Sequence, residues 1–148
     1  MAIVEKQFRD VGIVVPFVDN DSSQSGLWAP GTPALVDIYG YDNYPIGFDC
    51  SNPHHWQPGL LQTDFWTSIH LNYSAQTPQA VPEFQGGSLD VWGGPGNDAC
   101  VTLTGADFLR VFWKTQLAVG VHYQNMYMGY GGTNWKHLSW PGGYVDTC

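Results

Sequence analysis

Only two glutamates occur in the 148 residues, Glu5 and Glu83, and only five residues are lysine or arginine. Against 13 acidic residues and a net charge of -8, so little basic charge excludes the clustered positive surface that nucleic acid or an anionic membrane requires. No nucleic acid and no membrane is therefore expected as a partner. Long apolar runs are missing too: none reaches the length of a bilayer span, and residues 1–15 lack the basic start and apolar middle of a signal peptide. Cysteine is scarce, and Cys50, Cys100 and Cys148 fit no zinc spacing. A bridge from Cys50 to Cys100 would add about 4 kcal/mol in the chain-entropy model and would point to an oxidising compartment, with buried free thiols as the alternative.

What is present instead is apolar and aromatic. At 43% apolar, 15% aromatic and 12% charged, the composition is that of an ordered chain, expected to form one domain over residues 1–148. Seven Trp, eight Tyr and seven Phe are many for a small core. Beside glycine-rich loops such a surplus often lines a sugar-binding cleft, while plain packing and interface burial are the commoner uses. Asn20-Asp21-Ser22 and Asn72-Tyr73-Ser74 fit the glycosylation sequon.

Four apolar runs without clean alternation, at 12–18, 34–39, 79–84 and 123–130, predict strands buried on both faces of a parallel sheet. Helices are predicted over 2–11, over 63–73 with Phe65, Trp66 and Ile69 on one side, and over 104–120. The last opens with Thr104 and Asp107 at capping-box spacing and carries Phe108, Val111, Phe112 and Thr115 as a stripe. The alternation gives an α/β fold with crossover connections. Long loops follow the strands, so chemistry is expected at 19–30, 42–59, 83–97 and 131–143.

Glu83 falls at the end of the third predicted strand, where a carboxylate can serve as nucleophile or base; the alternative is a solvated loop glutamate. Glycosidic hydrolysis normally takes two carboxyl groups. Asp19, Asp42 and Asp90 follow strands and are candidates for a second, although capping a turn is the commoner role of Asp. Glu5, on the opening helix, is at the wrong end of its unit. The 19–24 stretch lacks the glycine and closing glutamate of a calcium loop, and His54, His55, His70, His122 and His137 are adjacent or dispersed, so no metal is expected. The glycine-rich 93–96 and 131–134 lack phosphate-loop endings, and no nucleophile elbow or Cys-His pair is evident.

Three stretches, VDIYGYDNYPIGFDCSNP, PEFQGGSLDVWGGPGNDAC and NMYMGYGGTNWKHLSWPGGY, together resemble the fungal β-galactosidases of glycoside hydrolase family 35 over nearly the whole chain. The resemblance implies a secreted, cofactor-free retaining enzyme on a (β/α)8 barrel that removes terminal β-linked galactose through a galactosyl-enzyme intermediate. It implies Glu83 as nucleophile, Tyr44 and Tyr127 as galactose contacts, and a Cys50–Cys100 disulfide. In the family the acid/base glutamate follows an asparagine upstream of the helix that opens this chain, and the segment after the closing PGGY motif carries a further tyrosine. The expectation is thus a partial (β/α)8 TIM barrel, approximately strands 5–8, that needs the N-terminal half of the barrel and is inactive or severely impaired by itself. Half a barrel exposes sheet edges and an apolar inner face, so self-association is expected. The competing readings are a galactoside-binding module without catalysis and a truncated product without a function of its own.

Overall fold

A computed structural model describes residues 2–33, 36–48, 50, 52–61, 63–88, 95 and 97–129, except for the side chains of Ala2 and Asn97. Asp90, His137, Cys148 and the expected 131–143 loop lie outside the described residues. The elements are α1 (Ala2–Asp10), β1 (Gly40–Asn43), α2 (Thr63–Tyr73), β2 (Ala80–Gln85), α3 (Asn97–Thr104), α4 (Ala106–Ala118) and β3 (Tyr123–Tyr127). The three strands form a small parallel sheet in the order β1-β2-β3, with helices in each crossover. No helix among the described residues is long and apolar enough to cross a membrane. The chain divides into two compact units, 1–42 with 63–83 and 116–125, and 43–62 with 84–115 and 126–148.

In the first unit the predicted strand at 12–18 is not a strand. Val14 and Val15 are exposed at 85% and 59%, and Pro16 has no N–H to give to a ladder. Instead the guanidinium of Arg9 gathers the carbonyls of Ile13 and Val15 and pairs with Asp37 at 2.8 Å. Pairing begins only at Phe17, whose carbonyl accepts from Asp37 and Ile38. Two isolated parallel bridges follow, Val18 to Ile38 and Asp21 to Tyr41. The second predicted strand is likewise displaced toward the C-terminus, to Gly40–Asn43, with Ala34 and Leu35 outside the described residues.

Gly40 makes this close approach feasible. A Cβ there would stand 2.6 Å from the Asp19 carbonyl oxygen and 2.7 Å from the Pro82 ring. Tyr39, Tyr41, Trp66, Ala80 and Val81 form the core, and the ring of Phe65 meets that of Tyr41 edge-on at 6.3 Å. Thus α2 buries Trp66 and half-buries Phe65 and Ile69, as its spacing predicts.

In the second unit Phe84, Phe108 and Phe112 are each at most 1% exposed and pack ring on ring, with Phe108 and Phe112 centroids 4.5 Å apart. Trp56 closes the cluster and its indole N–H donates to the Leu103 carbonyl at 3.2 Å. Cys50 and Cys100 are buried and joined in a disulfide across Cα atoms 5.2 Å apart.

The capping box expected at Thr104 does not form. An additional helix, α3, fills 97–104, and the Thr104 hydroxyl turns back to the Cys100 carbonyl at 3.1 Å, the i−4 bond of a residue inside a helix. α4 then starts at Ala106, after Gly105. Among the described aromatic residues, Tyr39, Tyr41, Trp66, Phe84, Phe108 and Phe112 are core, and the others are half-buried or exposed.

Candidate active site

β2 carries Glu83 at its fourth position, two residues before the strand ends. Val81, Phe84 and Gln85 are fully buried, whereas Glu83 is half-buried, so its carboxylate is the acidic group that this strand offers at a partly accessible position. One of its oxygens, Oε2, accepts a hydrogen bond from the Asn20 amide Nδ2 at 2.7 Å. Asp42, on the neighbouring β1, is the second carboxyl of this cluster. Burial first, then the charge of Glu83, push the Asp42 carboxyl up to about 6, while the Asn20 side chain pulls the other way. Its Oδ1 is buried with no hydrogen-bond partner among the described residues.

Two further carboxyls fix the segment that presents Asn20. Asp19 is 8% exposed and its Oδ1 accepts from the Gly40 N–H at 2.7 Å; burial pushes it up to about 6, against that hydrogen bond. Asp21 is the opposite case. Burial raises it, but the donors around it outweigh burial and hold it down at about 2. Oδ1 accepts from the N–H and hydroxyl of Ser23, and Oδ2 from the N–H and hydroxyl of Ser25, the Gly26 N–H and the Tyr39 hydroxyl at 2.8 Å. The loop closes on this carboxylate as an Asx-type turn. Gly26, at φ +71°, is needed both for its left-handed backbone and because a Cβ would strike the Tyr73 ring.

Tyr44 and Tyr127 belong to the second unit. Tyr44 directly follows β1, is half-buried, and packs on Phe48 with centroids 5.0 Å apart. Its loop is pinned by Gln85, a fully buried side chain whose Oε1 accepts from Ile46 N–H and whose Nε2 donates to the Gly47 carbonyl at 2.7 Å. Tyr127 closes β3, is 52% exposed, and accepts from the Gly86 N–H through its carbonyl at 2.8 Å.

Of the sequence candidates, Glu83, Asp42 and Asp19 are thus placed in the first unit, with Asp42 close enough for the charge of Glu83 to act on it. Asn20 and Gln85 had no catalytic or structural role assigned from sequence. Gln85 carries a signal in hindsight, a polar residue inside an apolar strand run. No cluster of three or more metal-ligating side chains occurs among the described residues.

The model of the glycosyl hydrolases family 35 matches residues 4–147. The chain belongs to glycosyl hydrolase family 35. Among family members, a protein named beta-galactosidase from Aspergillus niger is 52% identical over 147 residues, which is 99% of this chain and 14% of that protein. A beta-galactosidase A from a Penicillium species matches over the same shares at 52%, and a probable beta-galactosidase A from Emericella nidulans is 52% identical over 141 residues, 95% of this chain and 14% of its own length. This family 35 chain therefore spans about one seventh of the length of the relatives it matches. Of the family features expected from sequence, Glu83 lies in the first unit, while Tyr44, Tyr127 and the disulfide lie in the second.

Proposed function

We propose that the chain carries the nucleophile of a retaining β-galactosidase, Glu83, with Tyr44 and Tyr127 contacting galactose. The observation that supports this reading most is the setting of Glu83: a half-buried carboxylate on a parallel strand, oriented by an amide and flanked by a carboxyl that takes up protons more readily than usual. The names of the family relatives supply the sugar.

In the proposed step a Glu83 oxygen forms a bond to the anomeric carbon while the bond from that carbon to the leaving oxygen breaks. Water then releases galactose from the ester. Donation from Asn20 disperses the negative charge that the resting carboxylate carries and holds its plane. The first step also needs a proton for the leaving oxygen, supplied by a second carboxyl about 5 Å from the nucleophile. Neither glutamate of this chain follows an asparagine, so the family's acid/base motif is not found in these 148 residues. Loss of such assistance lowers rates by about 10²- to 10⁴-fold, and the chain by itself is expected to turn over ordinary galactosides poorly.

A 2-deoxy-2-fluoro-galactoside with an activated leaving group needs no proton donor. Mass spectrometry is expected to find its sugar on Glu83 and none on a Glu83→Gln variant; a label elsewhere overturns the assignment. Secretion, in keeping with the disulfide, belongs to the same proposal.

A further inference from the structure

Asn20 is the first residue of the sequon Asn20-Asp21-Ser22, yet the atom a glycan would occupy, Nδ2, is the atom that donates to Oε2 of Glu83 at 2.7 Å. We propose that Asn20 is a positioning residue that holds the Glu83 carboxylate, and that it is not a glycan site in the folded chain. The inference deepens the nucleophile reading and rests on it for its catalytic meaning.

The segment is constructed to aim this side chain. Asp19 donates its N–H to Ile38, Asp21 donates its own to Gly40, and both are buried with carboxylates tied down, Asp19 to the Gly40 N–H and Asp21 to its loop. In an extended stretch successive side chains point to opposite sides. With Asp19 and Asp21 turned inward, Asn20 is turned the other way, and it is indeed exposed where its neighbours are buried. The residue type matters as much as the direction. An aspartate of the same shape would place another negative charge beside Glu83 and Asp42, whereas the neutral amide donates. A glycan on Nδ2 would replace one of its two N–H groups and put a sugar directly at Glu83.

The scarcity of glutamate makes the test clean. In protein labelled with ¹³C only at glutamate carboxyls, the chain shows two signals, Glu5 and Glu83, which Glu83→Gln assigns. Asn20→Ala is expected to move the Glu83 signal and leave Glu5 in place, and Asn20→Asp to move it further. Ser22→Ala, which abolishes the sequon and keeps the amide, is expected to move neither. The rate of fluoro-galactoside labelling should fall about 10- to 100-fold in Asn20→Ala, the size of one hydrogen bond to a charged group. Its pH profile should move with it, which a merely structural defect would not cause.

A Glu83 signal unmoved in both Asn20 variants overturns the proposal, and so does a glycan on Asn20 of the folded, Glu83-reactive protein made in a glycosylating host. A moved signal in a parent chain that takes no label on Glu83 upholds the hold of Asn20 on Glu83 and overturns the reading that this chain by itself presents a reactive nucleophile.

Discussion

Asp21 accepts six hydrogen bonds through its carboxylate, more than any other side chain described in the first unit. A single acceptor therefore orders the loop, and its loss would leave buried N–H and O–H donors without partners. Asp21→Ala is expected to destabilise the unit by roughly 3 kcal/mol, read from the midpoint of urea unfolding. A change under about 1 kcal/mol would show that water replaces the carboxylate at little cost. Asp19 and Asp42 show how the same residue type diverges with surroundings. Each has too few donors to offset its burial, so each is pushed up to about 6, whereas Asp21 is held at about 2.

Among the elements, β2 and α4 were the most legible in sequence. Val81 and Phe84 lie in an apolar strand run and Phe108 and Phe112 in a helical stripe, and the burial of all four follows from that pattern. Phe112→Ala should remove about 3 to 5 kcal/mol from the second unit, because Phe84, Phe108 and Trp56 cannot all collapse into the space left. Leu117→Ala, on the exposed side of the same helix at 63%, should cost little, and equal effects of the two in thermal melts would contradict the packing described. The first predicted strand failed for a reason that pattern does not carry. An apolar run predicts a strand only if another element covers it, and Val14 and Val15 are not covered among the described residues. The boundary between α3 and α4 was missed because Thr104 has two uses, cap or interior, and a hydroxyl alone does not choose between them.

At the scale of the molecule, titration sets the pH of greatest stability. Asp19 and Asp42 bind protons near pH 6 when folded and near 3.8 otherwise, so between those values the folded state holds more protons and stability rises as pH falls. Asp21 has the opposite sign: its contribution is present above about 4 and is lost as pH falls toward about 2. His70, kept below 6.5 by burial and then by the charge of His122, also loses stability as pH falls below 6.5. Two carboxyls raised from 3.8 to about 6 outweigh one imidazole, and melting temperatures are expected to be higher near pH 4.5 than at pH 7, then to drop below pH 3. A flat or rising profile from pH 4.5 to 7 would refute this balance. The exposure of Ile3 at 75%, Val11 at 76% and Val14 at 85% leaves apolar surface that water disfavours. Sedimentation of the isolated chain should show concentration-dependent association; a compact monomer at all concentrations would count against it.

Local sequence determined the family, the α/β alternation, the strand bearing Glu83 and the helical stripe that buries Phe108 and Phe112, because each is encoded in residues close together in the chain. It also supplied the motif cysteines, although only the fold brings Cys50 and Cys100 within 5.2 Å across a separation of 50 residues. The grip of Asn20 on Glu83 spans 63 residues, that of Gln85 on Ile46 spans 39, and the pull of Asp42 on protons depends on burial and on a neighbouring strand. Those were decided by tertiary structure alone. Hydrogen bonding and dielectric surroundings depend on which groups lie within a few ångströms in space, and a linear pattern does not record that distance.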